Sequence, residues 1–184
     1  MAVAVVTVPT VSFPSTATKP NKTICIDHNA ERLSGHDDAG GLLQGYLCYR
    51  TGTTQKNDFT VAIDEHPGLT VVTFNILYAV EVVTSDIHQA YNHADAAYSA
   101  NDPIVVVRLE AGKKYWLKVS GETIVEGTLY NPITGGFVGA IDDPTPGAIV
   151  GNTHGFIALA PADTLTGWAP FLYEGIVSID TTAE

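Results

Sequence analysis

The sequence predicts a mainly β protein: an antiparallel β-barrel or sandwich carrying one helix and an extended N-terminal arm. Three observations carry this reading. The stretch from Pro103 to Asp142 divides into short runs rich in Val, Ile, Tyr and Thr, cut by Ala111-Gly112, Ser120-Gly121 and Gly135-Gly136. Runs of that kind between turn residues read as successive antiparallel strands. Seventeen glycines and ten prolines, placed mostly between apolar runs, suit many turns rather than a helical bundle. With 184 residues, 45% of them hydrophobic and 16% charged, the chain is long and apolar enough to bury a core.

Residues 1–22 form the arm. Pro9, Pro14 and Pro20 among Val, Thr and Ser disfavour helix and favour an extended chain. The opening MAVAVVTV is β-prone and a hazard for aggregation if unpaired. It is therefore expected to pair with a sheet edge, its own or a neighbour's, in preference to forming a disordered tail. It is not read as a secretory signal, because it lacks a basic first segment and is broken by Pro9 and Pro14. Lys19 and Lys22 give the arm +2, and the remaining seven basic and twenty acidic residues leave the body at −13. A chain of net charge −11 is repelled by phosphate backbones, so no nucleic-acid partner is expected. No stretch reaches the ~18 apolar residues of a membrane span, so no membrane partner is expected either.

The body, residues 23–184, begins with short strands at TICID (23–27) and Leu47–Tyr49. Between them lies a polar piece that reads as flexible. It holds His28, His36, Asp37 and Asp38, which lack any metal-ligand spacing and read as a solvated loop tip. Asn21-Lys22-Thr23 matches a glycosylation triplet by pattern alone. Cys25 and Cys48 suit either small buried apolar positions or a disulfide, and no Cys/His cluster has zinc spacing. Phe59–Asp64 alternates as a strand and Glu65–Gly68 makes a turn. Leu69–Val83, the most apolar run, reads as one long strand or two joined by a bulge, with a buried helix as competitor.

The one helix is expected at Asp86–Ala100, capped by Ser85 or Asp86, with Ile87, Ala90, Tyr91, Ala94 and Tyr98 on one face. Asn101-Asp102-Pro103 ends it. His88 and His93, five apart, do not share a helical face. A proline-fixed turn at Asp142–Gly147 follows the central strands. Strands at Phe156–Ala160 and Phe171–Ile179, with a proline-flanked loop between them, complete the chain.

No G-x-S-x-G places a serine on a nucleophile turn. Glu110, Glu122, Glu126, Asp142 and Asp143 are the carboxylates available for a glycosidase pair, but carboxylates beside turns of an acidic β protein are expected anyway. Gly135-Gly136 and Gly151–Gly155 lack the flanking residues of a phosphate loop. Trp116 and Trp168 suit sugar-stacking platforms or, more commonly for Trp in a β-rich chain, the core. The reading is non-enzymatic, with no catalytic, cofactor or metal-binding residues expected.

Ala111-Gly112, Ile124-Val125-Glu126-Gly127-Thr128-Leu129-Tyr130, Gly135-Gly136-Phe137-Val138 and Gly155-Phe156-Ile157-Ala158-Leu159 repeat a pattern of turn glycines and apolar alternation. In this order they resemble the β-barrel part of tailed-bacteriophage head decoration (capsid cement) proteins. The resemblance runs from Arg108 onward, and Thr23 to Ala100 has no counterpart in it. It implies a decoration-like barrel at about residues 103–184, a homotrimer without cofactor, and the major capsid protein as partner on the outer surface of the virion. In that setting the arm makes strand-addition contacts to the capsid through Val3, Val5, Val6, Val8, Val11, Phe13, Lys19 and Lys22. The alternatives are a tail, spike or turret component with a carbohydrate-binding role, and a virion-associated glycan hydrolase.

Overall fold

A computed structural model describes residues 24–27, 29–51, 57–62, 76–81, 97–141, 150–162 and 167–180. Among these described residues, ten strands fall in two groups. β1 (Arg32–Asp37), β2 (Leu47–Arg50), β3 (Asp58–Val61), β4 (Tyr78–Val80) and β5 (Pro103–Arg108) close into a barrel in the order β1-β3-β2-β4-β5. β6 (Lys114–Lys118), β7 (Leu129–Ile133), β8 (Phe137–Ala140), β9 (Val150–Ala158) and β10 (Trp168–Asp180) form a second sheet in the order β6-β10-β9-β7-β8. That sheet curls until Val119, just past β6, bridges Val138 of β8. Of the stretch 103–184, β5 thus belongs to the barrel and β6–β10 to the second sheet.

The mainly β class holds, and two details differ from expectation. The barrel is not wholly antiparallel, because β1 and β3 run parallel, pairing His36 with Asp58 and Asp37 with Phe59. Geometry requires this. Around a ring of five strands, up and down cannot alternate without one parallel pair. The expected helix at Asp86–Ala100 is not borne out. Ala97–Ser99 is extended loop, Ala100 begins a turn, no helix occurs among the described residues, and 86–96 lies outside them.

The barrel strands face two cores. Cys48, Phe59, Tyr78, Val80, Ile104 and Val106 point inward with Leu42 and Tyr98. Their neighbours Leu47, Ala79 and Val107 point outward and pack with Tyr115, Leu117, Tyr130, Val138, Phe156 and Phe171 of the second sheet. Successive residues of a strand point to opposite faces, so a strand buried on both reads as an unbroken apolar run. That accounts for the described part of the run at 69–83, where Leu77 and Ala79 enter one core and Tyr78 and Val80 the other. In the second core Phe171 meets Tyr130 and Phe156 nearly edge to face, with ring centroids 5.9 and 6.2 Å apart. Both arrangements are favoured by the ring quadrupole.

The two groups are also joined through backbone. Gly136 in the β7–β8 turn accepts a 2.7 Å hydrogen bond from the Leu47 N–H of β2. Its φ is +77°, and an added Cβ would lie 2.7 Å from the Leu47 carbonyl oxygen. Only glycine fits there. Gly136→Ala is therefore expected to lower stability by at least about 1–2 kcal/mol, the cost of the left-handed backbone alone. Denaturant unfolding measures this, and Gly112→Ala, where a Cβ meets nothing within 4 Å, separates the backbone cost from the clash.

Candidate functional site

Two surfaces stand out: the outer edge of β6 and a groove over β1 and β5. At the edge, Ile24, Cys25 and Ile26 lie against β6 as a one-bridge strand, with Cys25 opposite Tyr115. The Trp116 N–H donates to the Ile24 carbonyl at 2.7 Å and the Ile26 N–H to the Lys114 carbonyl at 2.9 Å. Ile24 and Cys25 are fully buried, which anchors the segment by apolar area as well as by backbone. Carboxylates hold its two ends. Glu81, after β4, accepts the Ile24 N–H at 2.7 Å through Oε1 and Arg32 Nε of β1 at 3.0 Å through Oε2. Asp27 Oδ2 accepts the Lys114 N–H at 2.9 Å. Lys113 Nζ also donates to the Asn29 carbonyl. One buried carboxylate thus ties the incoming chain, β1 and β4 together.

The groove, of about 380 Å³, is lined by Ser34, Gly35, His36, Asn57, Pro103, Ile104 and Val105. Ser34 faces Val105 and His36 faces Pro103 across the β1–β5 ladder, so their side chains share the outer face of the barrel. Asn57 Nδ2 donates to the Ser34 carbonyl at 3.1 Å. His36 Nδ1 lies 3.9 Å from Asp58 Oδ1 and has no hydrogen-bond partner.

The candidate metal ligands are not brought together. Asp37 is fully buried, and its two carboxylate oxygens accept the N–H groups of Gly40 and Leu42 at 2.9 Å. Burial pushes its carboxyl above the ordinary value of 3.8, and the backbone donors Leu42 and Gly40 oppose that rise. His36 points to the opposite face, Asp38 is exposed, and His28 lies outside the described residues. No group of three or more potential ligands occurs among the described residues.

Two of the carboxylates considered for glycan hydrolysis, Glu110 and Glu122, have structural work. Glu110 pairs with Lys113 at 3.0 Å, which holds its carboxyl below the usual range. Glu122 Oε2 accepts the Ala140 N–H at the end of β8. Glu126 is exposed in a turn, and Asp142 and Asp143 lie outside the described residues. Trp168 is 1% exposed, with its ring against Gly45 and Lys118 Nζ 5.1 Å from the ring centroid. It is a core residue and no stacking platform. Trp116 is half-buried against the same core. The two cysteines form no disulfide and belong to different cores, Cys25 to the one between the sheets and Cys48 to the barrel interior. Desolvation raises the pKa of both.

Sequence reasoning missed Glu81 as a tie point and the buried pair of His154 and Tyr173, whose Nδ1 and Oη are 2.5 Å apart. A lone glutamate inside the apolar run 69–83 is the only trace Glu81 leaves in the sequence. The expected contact residues Val3, Val5, Val6, Val8, Val11, Phe13, Lys19 and Lys22, like His88 and His93, lie outside the described residues. No protein-family model matches this chain, and no curated protein matches it.

Two measurements follow. Trp168→Ala removes a buried ring and is expected to cost about 3–5 kcal/mol, against a smaller loss for Trp116→Ala, by denaturant unfolding. Carboxyl NMR titration is expected to place Asp37 above, and Glu110 below, the ordinary carboxylate range. A folded-state pKa above the unfolded one means the native state holds the extra proton. Stability from Asp37 is therefore full below pH 3.8 and declines as pH rises through its raised value.

Proposed function

We propose that this chain is a structural protein of a virus particle, a capsid-surface decoration protein that bridges shell subunits and makes part of its contact by strand addition through residues 1–22. The observation that carries the reading is the β6 edge. The chain immediately after the arm already lies on a sheet as an added strand, with Ile24 and Cys25 fully buried. Contacts made by an extended arm therefore begin from a fixed point rather than from a loose end. Added strands supply backbone hydrogen bonds, and the alternating valines of the arm supply apolar area to a partner's surface.

The rest of the molecule is consistent with the task. A cement protein spreads many modest contacts over subunit boundaries and resists deformation between them. A barrel and a curled sheet sharing one core make a stiff body. The turn glycines that resemble the decoration pattern sit at working turns: Gly112 between β5 and β6, and Gly135 and Gly136 between β7 and β8. The acidic balance keeps the body away from packaged nucleic acid. In this reading the partner is the major capsid protein, the chain is a homotrimer, and no cofactor takes part.

Deletion of residues 1–20 tests the proposal. The truncated chain is expected to stay folded and soluble, with the circular dichroism of the whole protein, and to lose at least about tenfold in capsid occupancy, equivalent to about 1.4 kcal/mol. Co-sedimentation with purified shells reads the outcome. Full occupancy by the truncated protein would remove the arm from the contact.

A further inference from the structure

We infer that the groove over β1 and β5 is a binding site for a neutral saccharide, held by Ser34, His36 and Asn57 against an apolar wall of Pro103 and Val105. The groove follows from the topology. A five-stranded ring must contain one parallel pair, and here β1 and β3 stay in register over two residues only, against five between β1 and β5. Where that seam stops, the Ser34 carbonyl is met by the Asn57 side-chain amide at 3.1 Å in place of a backbone N–H. Ser34, His36 and Asn57 are thereby gathered on one rim. The opening of about 380 Å³ falls in the range of small-ligand sites, roughly 300–1,000 Å³.

The rim keeps hydrogen-bonding capacity that the fold does not use. Among the described residues, nothing bonds the Ser34 hydroxyl, Asn57 Oδ1 or either ring nitrogen of His36. The His36 side chain is 38% exposed but its Nδ1 is shielded, so a ligand meets the ring through Nε2. An amide oxygen that accepts thus stands beside two groups that can each donate or accept. Hydroxyls match such a set, since they also do both. The facing wall is carbon, where Pro103 is exposed and Val105 is 37% exposed on the outside of β5. A sugar ring has the same division, with hydroxyls at its edge and C–H groups on its face. Charge argues against other ligand classes. No lysine or arginine lines the groove, Arg32 on the same face of β1 is held by Glu81 at 3.0 Å, and the Asp58 carboxylate lies 3.9 Å from His36. An anion would meet that carboxylate with no cation to offset it. A metal ion would lack ligands, because no group of three occurs among the described residues. No aromatic residue lines the groove, so a single ring is expected to bind weakly, on the order of millimolar. The inference does not rest on the capsid reading.

Amide NMR of the full-length, isotope-labelled chain tests this, with glucose, galactose, mannose and N-acetylglucosamine each titrated to about 50 mM. At least one sugar is expected to give saturable shifts centred on Ser34, Gly35, His36, Asn57, Ile104 and Val105, and sodium sulfate none there. Ser34→Ala removes a hydroxyl that the described fold does not use. It is expected to keep the thermal midpoint and to weaken sugar binding about two- to tenfold, the worth of one hydrogen bond. Absence of saturable shifts with all four sugars overturns the inference, as do shifts that Ser34→Ala leaves unchanged. Sulfate shifts at the same residues overturn it too, and would give the groove to anions. Should Ser34→Ala fail to fold, Val105→Thr carries the test, since it keeps the β-branched shape and makes the wall polar. Weaker sugar binding then supports the inference and equal binding overturns it. Capsid occupancy plays no part in this readout, so failure of the proposed function leaves the saccharide site standing, and the reverse.

Discussion

The barrel strands have no solvent face to spare where the second sheet covers them, and most of the structure follows from that. Leu47 and Cys48 on β2, Ala79 and Val80 on β4, and Val106 and Val107 on β5 send consecutive side chains into opposite cores. Such strands cannot slip by one residue without exchanging every inward group for an outward one. Register is thereby fixed twice, once from inside the barrel and once from the second sheet. The barrel interior is too narrow to be filled by large residues from every strand, which is why Gly35 sits where the Phe59 ring would overlap a Cβ at 2.5 Å.

The same constraint decides what was legible in the sequence. β5 through β8 were readable because their strands are short and apolar and end at glycines that have positive φ in the structure, Gly112, Gly135 and Gly136 among them. β1 was not readable. Its inward positions are Leu33, Gly35 and Asp37, so a glycine under Phe59 and a buried carboxylate stand where an alternating pattern would show hydrophobes. What looked like a polar loop is a barrel strand paired with β5 over five residues. Tyr98, assigned to the apolar face of a helix, is buried in the barrel core from a loop, where its N–H donates to the Leu42 carbonyl at 2.9 Å. Burial was foreseen correctly and secondary structure was not, because apolar spacing reports a buried position before it reports the backbone that delivers it. Of the candidate site, the short strand within residues 23–27 was visible in its β-prone residues, and it is described as the Cys25–Tyr115 bridge. The carboxylates that receive its end were not, since nothing local marks Glu81 as a partner for a residue fifty-seven positions earlier.

Buried and edge carboxylates here do backbone work. Asp37 gathers the N–H groups of the loop after β1, and Asp102 Oδ2 accepts the Ser99 N–H at 2.7 Å in the loop before β5. Glu81 and Asp27 close the two ends of the Ile24–Ile26 bridge, and Glu122 takes the Ala140 N–H at the end of β8. Each satisfies a donor that a longer strand would otherwise have satisfied. Part of the chain's acidity is therefore structural. A carboxylate accepting backbone N–H groups is a strong acceptor that needs no partner strand, which suits a protein built from short ladders.

Those terminations also bear on how such a body meets others. Sheet edges left open invite pairing with any extended chain, and proteins that remain soluble cover, charge or interrupt them. This molecule closes one group of strands into a ring and curls the other until its edges touch at Val119 and Val138. Glu81, Asp27 and Glu122 take the N–H groups of Ile24, Lys114 and Ala140 where the ladders stop. Among the described residues, ring closure, curling and carboxylate caps thus solve one problem in three ways, since each gives an edge donor a partner without lengthening a strand.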